Sequence, residues 1–296
     1  MLKVIHSKDF TPNPKIIQLD DSCNAKALRE VVEMFSFSRS RFEEEANFRA
    51  KYMLNDLGIE AGYKVAGYPG CCQSVEWEFP HADVTKKVIA GATHFDTVEN
   101  CPGADDNASG IAVLVCAARF LKKNRDKLKN IPHFYFFNAE EEGLLGSTKF
   151  VNKWLAQKPK GFLGPIVPEE THVMEMVGYT AENQSTPPGL PNLGNRGDFL
   201  GIVGNGIAKD VIRISGESVP DLNTKGLDIP FEMTSMMSDV LRSDHTPFWE
   251  AGFKATMWTD TSNFRNPHYH KFTDLPETLN YEFMEKVTKL FISLFI

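Results

Sequence analysis

Apolar residues along this chain fall into short continuous runs that alternate with longer runs of helical period. The continuous runs predict strands, at residues 87–98, 134–137, 171–178, 199–203, 229–234 and 254–258. The periodic runs predict helices, at residues 111–121, 145–156, 207–215 and 280–295, with a short helix within 243–252. Alternating strands and helices are typical of the α/β class. We therefore expect a central, mostly parallel, twisted mixed sheet flanked by helices on both faces.

The first 85 residues have a pattern that predicts framework. Residues 11–22 are polar and contain Pro12 and Pro14, and residues 1–22 are expected to form a surface arm. The elements expected next are a helix from Ser22 or Asn24 to Phe35, a helix from Ser38 or Ser40 to Leu57, and antiparallel strands at Lys64–Tyr68 and Ser74–Phe79. The apolar face expected for the second helix comprises Phe42, Ala46, Phe48, Tyr52 and Leu57.

One α/β domain spanning residues 1–296 is expected, because 42% of the side chains are hydrophobic and can fill a large core. Segment 180–198 is rich in proline and glycine and is long for a connection in a compact domain. It therefore predicts a loop insertion beside the functional site. We expect residues 180–200, 217–228 and 259–268 to form the walls of a substrate pocket.

The net charge of −7 and the absence of long basic runs exclude the electrostatic pattern of a nucleic-acid binder. No apolar run is long enough to span a bilayer, and no signal peptide is visible, so a cytoplasmic protein without membrane contact is expected. Removal of a signal peptide would change this expectation to a secreted or periplasmic protein. The five cysteines include a vicinal pair and have no zinc-finger spacing, which argues against a disulfide framework.

Acidic and histidine side chains follow the predicted strands where each apolar run ends. They are His94, Asp96, Asp105, Asp106, Glu140, Glu141, Glu175, His268 and His270. The carboxyl ends of strands in an open α/β sheet form the ligand-binding edge. Imidazole and carboxylate ligands without cysteine suit zinc, manganese or cobalt, and several carboxylates in one cleft can hold two divalent ions. Such a pair of ions activates water for hydrolysis.

Six segments resemble the co-catalytic di-zinc aminopeptidases of the leucyl aminopeptidase and aminopeptidase Y type, which are related to glutamate carboxypeptidase and glutaminyl cyclase. The segments are His94–Asp96, Pro102–Gly110, Ala139–Ser147, Met174–Gly178, Ser243–His245 and Tyr269–His270. Their order and separations also fit, so the resemblance covers about residues 85–280.

The resemblance implies that Asp106 bridges two zinc ions. His94 and Glu175 would complete the first ion, and Glu141 and His270 the second. The implied catalytic residues are Glu140, as the general base acting on a metal-bridging hydroxide, and Asp96, which orients the His94 imidazole.

Several positions keep alternative interpretations. Glu175 departs from the family pattern, since many relatives have aspartate there. His268 is the rival of His270 as a ligand, and Asp105 is interpreted as a turn residue. The remaining expectations are a solvated or capping Glu142, structural histidines at 133 and 172, no nucleophile at Cys101, and unassigned roles for Asp244 and His245.

The expected function is a zinc-dependent exopeptidase that removes amino-terminal residues from peptides with a free amino terminus. A glutaminyl cyclase-type acyltransferase with one zinc ion is an alternative. A carboxypeptidase or dipeptidase, and a non-catalytic binding relative, are the others. Metal stoichiometry, ammonia release and activity on blocked peptides would separate these classes.

Overall fold

A computed structural model describes residues 2–13, 17–67, 74–80, 85–156 and 167–296. The strands are β1 (Ile5–His6), β2 (Lys64–Gly67), β3 (Val75–Glu78), β4 (Val88–His94), β5 (Ile131–Phe137), β6 (Glu170–Glu175), β7 (Leu200–Gly204), β8 (Thr224–Asp228) and β9 (Ala255–Thr259). The α-helices are α1 (Ala25–Phe35), α2 (Glu44–Glu60), α3 (Gly110–Lys123), α4 (Leu145–Ala156), α5 (Ala208–Ser218), α6 (Thr246–Glu250) and α7 (Tyr281–Ser293).

The described strands form one mixed sheet in the order β1-β8-β7-β9-β6-β4-β5-β3-β2. Its centre, β9-β6-β4-β5, is parallel, and β7 pairs with β8 in parallel as well. The antiparallel pairs flank this centre: β7 pairs with β9 on one side and β3 with β5 on the other, and the edge strands β1 and β2 pair with β8 and β3. The parallel centre places the carboxyl ends of β4, β5, β6 and β9 at one edge of the sheet, as expected for an α/β fold.

Helices cover both faces of the sheet, which confirms the predicted architecture. Alternate side chains of β5 point to opposite faces: Phe134 and Phe136 pack into the core beneath α1, α2, α3, α5 and α7. Tyr135 and Phe137 pack into the second core beneath α4 and α6. Full burial of such a side chain stabilises the fold by roughly 1.5–3 kcal/mol. The apolar run of β5 is continuous because its side chains are buried on both faces of the sheet.

The strand predicted at Ile229–Thr234 is wrong. The strand in this region is β8, Thr224–Asp228, and Phe231–Met236 forms a 3-10 helix. The Asp228 carboxylate ends β8 because it accepts the backbone N–H groups of Gly206, Ala208 and Lys209 at the start of α5. Gly226 brings β8 close to α5, since a Cβ there would lie 2.5 Å from Ile212. Strand β8 contains few apolar residues, so the hydrophobic pattern did not predict it.

Helix α2 differs from its prediction in its start and in its buried face. It begins at Glu44 instead of following Ser38 or Ser40. Its buried residues are Asn47, Ala50, Leu54, Leu57 and Gly58. Of the five residues expected on the apolar face, Phe42, Phe48 and Tyr52 are exposed, by 65%, 38% and 62%. The expected face was therefore wrong for Phe42, Phe48 and Tyr52, whereas Leu57 is buried.

The remaining predicted helices and strands agree with the structure to within a few residues. Asn24 is the N-cap of α1, and its side chain accepts the Ala27 N–H. The start of the predicted surface arm belongs to the sheet, because Ile5–His6 forms the edge strand β1. Tyr68 and the vicinal pair Cys71 and Cys72 lie outside the described residues. Across the described ranges, no helix is long and apolar enough to cross a membrane.

Candidate metal centre

The candidate ligands lie at the carboxyl edge of the parallel centre of the sheet. His94 is the last residue of β4, and Glu175 is the last residue of β6. Glu141 follows β5, and His270 lies in the segment after β9. Asp106 lies between β4 and α3 and is only 3% exposed. The topology therefore brings together five side chains that are far apart in sequence.

Two groups of ligand atoms meet at Asp106. One carboxylate oxygen of Asp106 lies 3.2 Å from Nε2 of His94, and this nitrogen is 3.6 Å from a Glu175 oxygen. The other Asp106 oxygen lies 3.2 Å from Nε2 of His270, which is also 3.2 Å from a Glu141 oxygen. Within each group the ligand atoms lie within 4.8 Å of one another. The shared aspartate thus joins two sets of three ligands.

Unpaired polar atoms in these groups provide a test of whether the residues fit a metal. His94 Nε2, Asp106 Oδ1 and Glu141 Oε1 are buried, and none has a hydrogen-bond partner with acceptable geometry. Burying such atoms without a partner costs about 1–3 kcal/mol each. A divalent cation removes this cost because it accepts their lone pairs. Two imidazoles and three carboxylates form a donor set that suits zinc.

In both groups, the acidic side chains and the histidines shift one another's pKa values. Burial would lower the pKa of His94, but the carboxylates of Glu140 and Glu175 raise it well above its usual value. The pKa of His270 rises to about 10: burial opposes this rise, and hydrogen bonds to Asp106 and Glu141 cause it. Burial, followed by the nearby Asp106 carboxylate, raises the pKa of Glu141 to about 7. The acidic and imidazole groups of the two sets therefore interact closely enough to shift one another's pKa values.

Glu140 lies beside the ligands without belonging to either group. Its side chain is 9% exposed and borders a cleft that is also lined by Asp106, Glu141 and Glu175. Burial, and then the charges of Glu175, Asp244 and Glu141, raise the pKa of Glu140 well above the usual value, while His94 opposes them. This carboxyl group is therefore suited to exchanging a proton with a bound molecule.

Asp96 connects the two ligand-bearing loops. Its two carboxylate oxygens accept the backbone N–H groups of Glu140 and Glu141 at 3.2 and 3.1 Å. Nδ1 of His94 lies 3.2 Å from the backbone oxygen of Asp96 and 3.7 Å from its carboxylate. The structure therefore places Asp96 next to the His94 imidazole, and its carboxylate holds the turn that carries both glutamates.

A second buried carboxylate holds the backbone at Asp106. The Asp274 side chain accepts the N–H groups of Asp105 and Asp106 at 2.9 and 3.0 Å. Asp105, interpreted from sequence as a turn residue, is fully buried and accepts the Gly178 N–H and the Asn266 side-chain amide. Sequence reasoning missed this role because Gly178 and Asn266 are distant in the chain. In the sequence, its position next to Asp106 was the one feature that could have indicated a role at the site.

The residues with open or rival roles also have definite positions. The Ser243 hydroxyl donates to Glu175 at 2.7 Å and so holds this longer ligand in place. His268 is in neither ligand group, and its Nδ1 lies 2.9 Å from the Thr273 hydroxyl. The structure therefore brings His270, rather than His268, to the ligands. His172 likewise belongs to neither group, and its Nδ1 lies 2.8 Å from the Thr256 hydroxyl.

Asp244 and His245 have different environments. Asp244 is fully buried, and burial raises its pKa to about 7, while His94 and Ser147 oppose the rise. It is close enough to Glu140 to raise the pKa of that carboxyl group. His245 packs edge-on against Trp249, and its Nε2 lies 2.7 Å from the Val240 carbonyl oxygen. His245 therefore has a packing role.

Tyr269 and Arg242 line the cleft next to His270. The Tyr269 ring stacks on the His270 imidazole with 3.7 Å between the ring centroids. Arg242 donates to the Tyr269 hydroxyl oxygen at 3.0 Å and to Asn263 and Asp239 at 3.0 and 3.3 Å. Sequence reasoning did not find Arg242, although it directly precedes the Ser243–His245 motif.

An apolar pocket with a cavity volume of about 80 Å³ adjoins the cleft at Glu175 and Tyr269. Its apolar walls include Leu190, Leu193, Phe199, Ile202, Val203, Leu227, Val240, Met257 and Phe264. Segments 180–200 and 259–268 contribute to the walls, as predicted. Within 217–228 the contribution comes from strand β8 instead of a loop, and Asp239, Val240 and Arg242 are additional.

A mixed sheet with two candidate metal-ligand sets at the carboxyl edge of its parallel centre is an arrangement typical of α/β metalloenzymes. The profile of Peptidase family M28 matches residues 75–295, and the chain belongs to this family.

Curated proteins with similar sequences include an uncharacterized protein and an aminopeptidase. The uncharacterized protein YfbL of Escherichia coli (strain K12) is 28% identical over 70% of this chain and 65% of its own length. Aminopeptidase YwaD of Bacillus subtilis (strain 168) is 29% identical over 69% of this chain and 39% of its own length. The chain thus spans less than two thirds of these relatives.

Solved structures share the fold. The LapA aminopeptidase of Legionella pneumophila superposes with a TM-score of 0.69 at 19% identity, covering 92% of this chain and 70% of that chain. Glutaminyl cyclase of Bacteroides thetaiotaomicron superposes with a TM-score of 0.64 at 16% identity, covering 94% of this chain and 98% of that chain. At these identities the likeness concerns the fold alone.

Proposed function

We propose that the protein is an aminopeptidase that uses two zinc ions to release the first residue of peptides with a free amino terminus. The observation that carries this proposal is the Asp106 carboxylate, which gives one oxygen to each of two ligand sets beside Glu140. His94, Asp106 and Glu175 would hold one ion, and Asp106, Glu141 and His270 the other.

When bound there, two zinc ions supply the positive charge that polarises a substrate carbonyl group and makes a water molecule acidic. Glu140 takes the proton of the attacking water and passes it to the leaving amine. Its position suits this task, because the carboxyl group borders the cleft beside Asp106, Glu141 and Glu175 without belonging to either ligand set. Asp96 keeps Glu140 in place through the Glu140 backbone N–H.

Tyr269 is the proposed donor to the substrate carbonyl oxygen. Its hydroxyl oxygen already accepts a hydrogen bond from Arg242, so its own proton is free to point into the cleft. A donor fixed at the point where negative charge develops lowers the barrier of acyl transfer. Stacking on His270 fixes the ring relative to the metal ligands.

The Glu175 carboxylate lines the cleft and would provide negative charge for the protonated amino terminus of a peptide. The apolar pocket starts beside Glu175 and would receive the first side chain of the substrate. Its walls of leucine, isoleucine, valine, methionine and phenylalanine favour large apolar residues at that position. The preferred substrates would therefore begin with leucine, methionine or phenylalanine.

A panel of chromogenic amino acid amides tests this proposal, with and without a chelator, and with amino-terminally acetylated versions as matched controls. We expect hydrolysis of leucine, methionine and phenylalanine amides, loss of activity with the chelator, recovery on adding zinc, and no hydrolysis of acetylated amides. Activity confined to blocked substrates would contradict the proposal. Ammonia release from amino-terminal glutamine peptides, with one bound zinc ion, would favour the cyclase alternative.

A further inference from the structure

Arg39 is a fully buried arginine that lies outside the part of the chain matched by the family profile. It belongs to the segment between α1 and α2. Its guanidinium group donates only to backbone carbonyl oxygens, namely those of Phe35, Phe37, Phe95, Pro102 and Gly103. Among the described residues, no carboxylate forms an ion pair with it. A buried cation bound in this way is costly to the fold unless other charges compensate it.

Three of these carbonyl groups belong to the backbone that carries the metal ligands. Phe95 lies between His94 and Asp96, and its carbonyl oxygen accepts from Nε of Arg39 at 2.5 Å. Pro102 and Gly103 begin the segment that leads to Asp106, and they accept at 2.7 and 3.0 Å. One rigid guanidinium fork therefore ties the end of β4 to the Asp106 segment.

Gly103 shows how close this approach is. It has a left-handed backbone with φ of 62°. A Cβ at this position would lie 2.3 Å from the Asp106 carbonyl oxygen and 3.2 Å from Nη1 of Arg39. The segment therefore folds tightly over the guanidinium group and then turns directly into Asp106.

The charge of Arg39 also faces the metal centre. Burial lowers its pKa to about 10, while the carboxylates of Asp106, Asp274 and Asp96 raise it, so the side chain stays protonated at neutral pH. Of these three aspartates, Asp96 and Asp274 hold the ligand-bearing backbone, and Asp106 is the proposed shared ligand. The Arg39 cation thus compensates buried negative charge next to the ligands without occupying their lone pairs.

A hydrogen-bonded chain extends from Arg39 to the glutamates. The Asn47 side chain donates to the Arg39 carbonyl oxygen at 2.8 Å, and Asn47 and Asn138 exchange two amide hydrogen bonds of 3.0 and 2.7 Å. Asn138 directly follows β5, two residues before Glu140. The segment from Arg39 to Asn47 therefore contacts both ligand-bearing turns.

We propose that Arg39 is a positioning residue for the metal centre: it fixes the backbone at Phe95, Pro102 and Gly103 so that His94 and Asp106 are preorganised to bind zinc. The inference rests on the proposed zinc site and adds a contribution from the chain before residue 75. Loss of a group that orients metal ligands typically weakens metal affinity about 10- to 100-fold.

The test compares zinc affinity in Arg39→Met, Arg39→Lys and wild-type protein, measured by competition with a chromogenic chelator on purified full-length chains. Arg39→Met should weaken zinc binding about 10- to 100-fold. Arg39→Lys keeps the charge but not the fork and should show a smaller loss. Leu54→Ala is the matched control, because Leu54 is a buried residue of α2 that has no role at the ligands.

Thermal unfolding in excess chelator measures how much each substitution destabilises the protein without zinc. Wild-type zinc affinity in both Arg39 variants would overturn the inference, as would an equal loss of affinity in a Leu54→Ala protein of the same stability. If Arg39→Met does not fold, Arg39→Lys and Asn47→Ala decide, and wild-type affinity in both would overturn it. Failure of wild-type protein to bind zinc would instead contradict the proposed function.

Discussion

The three adjacent glutamates allow a sharp test of the mechanism, because each is expected to respond differently to the same substitution. Glu140→Gln replaces a carboxylate by an amide of the same shape. The backbone N–H of residue 140 keeps its hydrogen bond to Asp96, and Glu140 is in neither ligand group. The amide cannot accept a proton. The substitution therefore removes the base and leaves the metal ligands in place.

The expected loss follows from the role of a general base, which typically contributes about 10²–10⁴-fold to a rate. At about 1.4 kcal/mol for each factor of ten, this corresponds to about 3–5 kcal/mol in the barrier. The side chain is 9% exposed, so bulk water has little access to replace it. We therefore expect kcat to fall toward the upper part of this range while KM changes little.

The assay measures kcat and KM on a leucine amide together with zinc content after dialysis. Glu141→Gln should lose zinc as well as activity, because Glu141 belongs to a ligand group. Glu142→Gln is the matched control, since Glu142 is in neither group, and its activity should stay within about twofold of wild type. Undiminished kcat in a zinc-loaded Glu140→Gln protein would refute the assignment of the base.

Three further predictions concern the cleft, the pocket and pH. Tyr269→Phe should lower kcat about 10²–10³-fold with zinc content unchanged, because it removes the proposed donor, and steady-state kinetics that show normal kcat would contradict this. Val203→Phe narrows the pocket and should reduce kcat/KM for leucine relative to alanine amides at least about tenfold, and an unchanged ratio would show that the pocket does not hold the first side chain. Burial lowers the pKa of His245 to about 4, so the unfolded chain binds a proton there that the folded chain does not. The contribution of His245 to stability is complete above pH 6.5 and is lost as pH falls toward 4, with about 2 kcal/mol lost between pH 7 and 5. Urea unfolding of chelator-treated protein measures this loss, and an identical pH slope in His245→Gln would contradict the prediction.

The ligand-bearing edge of the sheet could be predicted from sequence because its signal is local. The apolar runs that become β4 and β6 end in His94 and Glu175, and Glu140 and Glu141 follow the apolar β5 within four residues, so composition and position coincide. Burial on both faces makes these strands unambiguous. The sequence does not show which strands are neighbours in the sheet. The observed strand order supplies this information and explains how the ligands come together.

Features that depend on distant contacts could not be found in this way. Strand β8 contains Lys225, Gly226 and Asp228, and its strand character comes from pairing with β7 and from close packing on α5. Asp105 has the local features of a turn, yet it is buried because Gly178 and Asn266 donate to it. Likewise, the residues around Arg39 in the sequence do not indicate that its guanidinium group would bind five carbonyl oxygens. Tertiary contacts decided each case.

The buried acids explain why the supporting contacts reach so far from the ligands. Asp96, Asp105, Asp244, Asp260 and Asp274 are all fully buried around the candidate metal centre. Burying a carboxylate is tolerated when backbone N–H groups or a cation compensate it. Asp96, Asp105 and Asp274 accept backbone N–H groups, and Asp260 accepts those of Tyr179 and Ser262. Among the described residues, Arg39 and Arg265 are the buried arginines that oppose these charges, so binding of divalent cations would complete the balance and stabilise the fold.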